Sequence, residues 1–420
     1  MMKILADSRT FQKLDHYSIY AEGKNFPSSV SMSNVSLNVI NGIIDSISPK
    51  PLFDKVSIFE NAHIIPRFTN AHTHLEASDL RKPISCRNGS LPEWIAGLLA
   101  YRQSDAYNPE SAIATGAKEL YETGTSGIGD VVLPTFFFNE HANVLQNIQK
   151  IAHNLPAGTK TRWFLELIAV NDTVAKTRLD EAKRFLDAAF QCVEYGKKFT
   201  VGLSPHAPYT VSPELLEGTI QLSRTYRVPI TMHLAETEEE LQLLQTHSGP
   251  FCEMMKRFDV NWNLMLLGKR PMDYLTALAD CEHAIIAHGN YLNDAEIRFL
   301  AKRRDNMSVA FCPVPHKFFK HQRYPLRQML DLGVRVTLGT DSRASWSQFP
   351  NTSPVTNPLS MLETVNVLHH DYPEISINEI LETATYHGNT ALGFTEVSSA
   401  NCFDTFLPGN TADFLVIRTN

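Results

Sequence analysis

The residues able to do chemistry in this chain cluster at the ends of apolar runs. His72 and His74 form a His-X-His pair in NAHTH. His233 and Glu236 stand three apart in HLAE. His288 closes a run at AHG, and Asp341 lies in LGTDS. On a strand, residues two apart point to the same face, so both imidazoles of the pair can enter one site. Zinc takes imidazole nitrogens and carboxylate oxygens, and a catalytic zinc keeps one position open for water. Three of these histidines with Asp341 are therefore a candidate set for one divalent ion, zinc first and iron second. Such an ion lowers the pKa of its water toward ~7 and so supplies hydroxide at neutral pH. Glu236, close to that set but off it, is positioned to shuttle protons.

Each residue also has a plainer reading. Polar residues are common at strand ends, so an isolated His-X-His is a weak signal. His233 and His288 could be hydrogen-bonded core histidines. Glu236 could be a solvated acid in the first turn of a helix, and Asp341 could cap the next helix. The metal reading rests on their coincidence at the ends of predicted parallel strands.

Those strands come from an alternating pattern. Strand-like runs cover 63–74, 124–132, 162–170, 198–207, 228–236, 281–289, 307–315 and 334–341. Helix-like segments between them cover 108–123, 174–194, 212–225, 237–244, 294–304 and 324–332. Ser212 before Pro213, and Asn293 or Asp294, are plausible N-caps. Eight strands alternating with helices predict an α/β fold, a TIM-type (β/α)8 barrel, although a doubly wound open sheet gives a similar pattern. In a barrel the strand ends named above converge on one mouth, and the long connections 75–102 and 342–358 lie on that face. Residues 1–65 look β-rich, with Asn-Gly as a turn signal, and ADFLVI at 412–417 reads as one more strand. The expected organisation is a small β-sandwich-like domain from 1–65 plus 397–420 around a barrel at 66–396.

Composition fits a globular protein with a substantial core. Of 420 residues, 43% are hydrophobic and 20% charged, and the formal net charge is −7. The acidic balance argues against a nucleic-acid partner. No apolar run is long enough to span a membrane, and MMKILADSRTFQKLDHY has no signal-peptide pattern, so the expected location is cytoplasmic. The six cysteines are scattered and read as reduced thiols. The expected partners are a small-molecule substrate and, at most, a second copy of the chain as a homodimer.

The segments NAHTHLE, SPHAPYT, HLAET, AHGN, CPVPH and LGTDS, with TATYHGNTALG and PGNTADFLVI near the end, resemble the amidohydrolase superfamily. The similarity spans nearly the whole chain and is closest to the mononuclear deaminase and chlorohydrolase branch. It implies that His72, His74, His233 and Asp341 bind the metal and that Glu236 moves the proton. It implies that His288 hydrogen-bonds the attacking hydroxide or the substrate, and that His206 touches the substrate. SLPEWI resembles the loop that closes over the base, which makes Leu91 and Trp94 lid candidates. Binuclear members carry a lysine at the end of strand four. Lys197 and Lys198 lie at the opposite end of that run, so one metal is implied. The motif CPVPH departs from the branch, which continues with Ser-Asn there, and the small β domain is abbreviated.

The resemblance implies hydrolytic deamination of an amino-substituted heteroaromatic ring, the 6-amino group of an adenine nucleoside. Within the branch the chain is most similar to the aminodeoxyfutalosine deaminases of menaquinone biosynthesis and to the adenosylhomocysteine and methylthioadenosine deaminases. Aminodeoxyfutalosine carries a benzoate, for which Arg87, Arg162 and Arg343 are candidate cations, with Arg162 the expected substrate contact. The alternatives are a guanine- or triazine-type deaminase or chlorohydrolase, and a binding protein on a decayed hydrolase scaffold.

Overall fold

The computed structural model describes residues 2–7, 9, 14–22, 33–138, 143–256, 260–346, 357–394 and 406–418. Its strands are β1 (Lys3–Asp7), β2 (His16–Glu22), β3 (Val35–Ile40), β4 (Ile43–Ser48), β5 (Val56–Glu60), β6 (Ala62–Pro66), β7 (Phe68–His74) and β8 (Thr125–Val132). They continue with β9 (Lys160–Leu167), β10 (Phe199–Pro205), β11 (Ile230–Leu234), β12 (Ala284–His288), β13 (Met307–Phe311), β14 (Val336–Leu338), β15 (Asp341–Ser342) and β16 (Phe414–Arg418).

Nine of these form one parallel sheet in the order β14-β13-β12-β11-β10-β9-β8-β7-β15. The two edges belong to one short segment. Leu338 pairs with Phe311 of β13, while Asp341 and Ser342 pair with Thr73 and His74 of β7. The sheet therefore curls until its ends meet, as in a TIM-type barrel and unlike a doubly wound open sheet. Helices cross between successive strands. The Ser212 side chain caps Pro213–Tyr226 by accepting from Leu215 N. Asn293 and Glu296 form a capping box on Asp294–Lys302. Strand alternation sorts the core: Trp163, Leu165 and Leu167 of β9 join the cluster under the helices, whereas Phe164 joins a separate cluster with Val131, Ile285 and Ala310.

The terminal residues build two further sheets, β1-β16-β6 and β4-β3-β2-β5. Ile19, Leu37 and Val39 of one pack with Ile64, Phe414 and Val416 of the other. The run read as one strand over 63–74 is two. β6 pairs with β16, β7 pairs with β8, and Arg67 sits between them, buried and within 3.5 Å of Asp7 and Asp413. That ion-paired corner turns the chain from one sheet into the other. The expected boundary at 396–397 falls outside the described residues.

Candidate active site at the mouth of the parallel sheet

β7 brings His72 and His74 to the inner face at its C-terminal end. Neighbouring polar contacts fix that end. Asn70 Nδ2 donates to Thr340 Oγ1 at 2.7 Å, Thr340 N donates to Asn70 Oδ1 at 3.0 Å, and Thr73 Oγ1 donates to the Asp341 carbonyl at 2.9 Å. Gly339 is required beside them, because a Cβ there would lie 2.7 Å from the His72 carbonyl oxygen and 3.0 Å from its Cβ. Three non-glycine residues take left-handed backbone at the strand ends: Ala235 (φ +53°), His288 (φ +67°) and Asp341 (φ +54°). Such conformations are costly for a side-chain-bearing residue and collect at functional sites. Here they turn the chain as it leaves the sheet. The His288 turn is tied by Tyr324, whose hydroxyl donates to the His288 carbonyl at 3.0 Å.

The four candidate ligands converge. His74 Nε2 lies 3.2 Å from His233 Nε2, and Asp341 Oδ1 lies 3.5 Å from His74 Nε2 and 3.7 Å from His72 Nε2. His233 Nδ1 donates to the His206 carbonyl at 3.0 Å, which leaves the Nε2 lone pair facing the cluster. Ser345 Oγ donates to Asp341 Oδ2 at 3.1 Å and leaves Oδ1 facing it. Both ring nitrogens of His72 are buried without a hydrogen-bond partner. Burial holds the imidazoles of His72, His74 and His288 well below the usual histidine range and that of His233 at about 4. Neutral imidazoles with converging lone pairs beside a carboxylate are the donor set of a divalent ion, so the residues fit one.

Glu236 lies just beyond the cluster, with Oε1 3.6 Å from His288 Nε2. Burial, and then the charges of Asp341 and Glu240, push its carboxyl well above the usual range. Glu240 holds the local backbone by accepting from Ala235 N at 2.8 Å and from Glu236 N at 2.9 Å. Burial also raises Asp341 to about 6 and depresses His206 to about 3.

The cluster floors a cavity of about 390 Å³. His74, His206, His233, Glu236, His288 and Asp341 all line it, as do Leu91 and Trp94 of the helix Leu91–Arg102. Trp94 donates from Nε1 to the Ala344 carbonyl at 3.0 Å and packs edge-on against Phe319. His72 stands behind this lining, among the other imidazoles.

Arg162 is a correction. It is the third residue of β9, about 13 Å below the mouth at a strand rise of ~3.3 Å per residue. It donates to the carbonyls of Leu392 and Val201, at 2.6 Å each, and plugs the opposite end of the sheet. It cannot touch a ligand in the cavity. Arg343 is bound to Glu119 and the Asn357 carbonyl, and exposed Arg87 pairs with Glu93, so neither lines the cavity. The lining arginines are Arg102 and Arg178. Sequence reading also passed over Glu76 and Glu166. An acid near the C-terminal end of the otherwise apolar WFLEL was the available signal for Glu166.

A curled parallel sheet with a His3Asp cluster and a buried glutamate at its C-terminal mouth defines a metal-dependent hydrolase of TIM-barrel type. The model of the amidohydrolase family matches residues 63–419, and the chain belongs to that family. It is a hydrolase acting on carbon–nitrogen bonds. It is 26% identical to a 5′-deoxyadenosine deaminase of Methanococcus vannielii, over 91% of this chain and 82% of that protein. It is 28% identical to a 5-methylthioadenosine/S-adenosylhomocysteine deaminase of Pyrococcus furiosus, over 79% of this chain and 70% of that protein. The solved structure of Helicobacter pylori aminofutalosine deaminase superposes with a TM-score of 0.71 at 20% identity, covering 96% of this chain and 91% of that one. Among the described residues no helix is long and apolar enough to cross a membrane.

Proposed function

We propose that the chain is a hydrolytic deaminase that removes the 6-amino group of an adenine nucleoside, with aminodeoxyfutalosine as the first candidate substrate. The observation that carries this reading is a pair of clusters that share His72, one with His74 and His233 and one with His288 and Asp341, beside a buried glutamate at the floor of an apolar-walled cavity. The deaminases to which the chain is similar support the choice of ring.

A zinc ion, or iron, held by His72, His74, His233 and Asp341 would supply Lewis acidity that makes water a nucleophile at neutral pH. Glu236 carries the proton to the ring nitrogen next to the reacting carbon, which its off-cluster position and proton-holding environment favour. His288, 3.6 Å from Glu236, hydrogen-bonds the attacking oxygen. The second proton of the attacking water passes through Asp341 to the 6-amino group, which leaves as ammonia while the oxygen stays on the ring carbon. His206 contacts the ring, and Leu91 and Trp94 shut out water from above. With Arg162 at the far end of the sheet, Arg178 on the outer wall replaces it as the cation for a carboxylate-bearing substituent.

The test is an ammonia-release assay of metal-loaded protein against 5′-deoxyadenosine, methylthioadenosine, adenosylhomocysteine, aminodeoxyfutalosine and guanine. Adenine nucleosides should react. Reaction with guanine alone would favour the guanine-type alternative, and no ammonia from any of them would refute the proposal. Glu236→Gln should keep about one equivalent of metal while turnover falls roughly 10²–10⁴-fold. His233→Ala should lose metal and activity together.

A further inference from the structure

Glu166 is the seventh residue of β9, in the sequence KTRWFLEL. It shares the strand face of Arg162 and Phe164, which points into the lumen, whereas Trp163, Leu165 and Leu167 point to the helices. Its side chain lines the cavity and the residue is only 3% exposed. Among the described residues its carboxylate takes no hydrogen bond and no ion pair. The nearby acid Glu76 is matched, accepting from Arg102 Nη2 at 2.7 Å and Nε at 3.2 Å. Burial pushes the Glu166 carboxyl up, and the charges of Arg102 and His233 draw it back.

A buried carboxylate without a partner is expensive unless a ligand supplies donors. An ionised carboxylate only accepts, so the ligand must bring O–H or N–H groups to it. On an adenine nucleoside the donors are the 6-amino group and the sugar hydroxyls. The amine must face His233, Glu236 and Asp341, which stand on β11, just after it and on β15. Glu166 stands two strands from β11 and three from β15, near Arg102 of the lid helix. The hydroxyls remain.

We propose that Glu166 is the sugar-recognition residue of the site, its carboxylate accepting the 2′- and 3′-hydroxyls of the substrate. This rests on the nucleoside reading above and adds to it a requirement for a vicinal diol. Hydrogen bonds to a charged group, when one partner is removed from a buried site, cost roughly 10- to 100-fold each.

The experiment compares kcat/KM for adenosine and 2′,3′-dideoxyadenosine, followed by ultraviolet absorbance, in the metal-loaded wild type and in Glu166→Gln. The wild type should prefer adenosine by about 10²-fold or more. The variant should lose roughly 10- to 100-fold on adenosine and at most about threefold on the dideoxy compound, so that the preference collapses. A variant that keeps the wild-type preference, or that slows equally on both, overturns the assignment. Should the variant not fold, the wild type decides alone, because equal rates on the two substrates also overturn it. If the wild type deaminates neither of these and none of the adenine nucleosides of the ammonia-release panel, the nucleoside reading itself fails, and this inference falls with it.

Discussion

Replacing Arg102 with Leu tests the charge balance of the cavity wall. The Glu76 side chain is 1% exposed and that of Arg102 20%, and the two are joined by contacts of 2.7 and 3.2 Å. Leu fills most of the stem volume but leaves the Glu76 carboxylate buried and unmatched. Burial raises the Asp130 carboxyl against a hydrogen bond from Leu75 N, and the charge of Glu76 adds to the rise. Breaking a buried pair by removing one partner costs about 3–5 kcal/mol. A chain of 420 residues unfolds with an entropy near ~0.9 kcal/mol/K, so Tm should fall by roughly 3–6 °C. The assay is thermal unfolding by circular dichroism at fixed metal content and scan rate. Glu76→Gln combined with Arg102→Leu removes both charges and should recover more than half of the loss. A single variant within about 1 °C of wild type, or a double variant no better than the single, would refute the reasoning that an unmatched buried charge dominates.

Other substitutions probe the shell around the cluster. Gly339→Ala forces a methyl group against the His72 backbone, and should lower metal content well below one equivalent, read by elemental analysis, with a stability loss of about 1–3 kcal/mol. Trp94→Phe removes the tie to Ala344, worth ~1 kcal/mol, and should raise KM about fivefold with unchanged metal content. Unchanged KM would release Trp94 from the lid role. Stripping the metal with a chelator should lower Tm by about 5 °C if the ion is present at ~10³ times its Kd, and His233→Ala should show none of that shift.

How far the sequence could be read depended on strand polarity. His72, His74, His233 and Asp341 were legible because two-residue alternation and strand ends are local signals, and the structure brings them together. Arg162 was misplaced because proximity to a strand end does not say which end. It lies near the start of β9, and only the C-terminal end of a parallel strand opens on the mouth. Glu166, four residues further along the same strand, answers that question and went unread. Arg102 left no local signal. Its place in the wall depends on the helix Leu91–Arg102 folding back over the sheet, which no periodicity within that helix encodes. The split of 63–74 was hidden for a similar reason, since Arg67 finds its carboxylates at Asp7 and Asp413, near opposite ends of the chain.

The seam at β15 bears on the order in which the molecule is made. Thr73 and Asp341, hydrogen-bonded neighbours at the cluster, are 268 residues apart. During synthesis His72 and His74 emerge early, yet they meet their carboxylate only after almost every other strand has been translated and stacked. Contacts of such long sequence separation are among the last and slowest to form. If the four residues hold an ion as proposed, a partial product cannot hold it firmly, and its capture would coincide with closure of the ring. Metal uptake would then report completion: a chain stalled before residue 341 carries three of the four proposed donors and no closing strand, and should hold the ion only weakly.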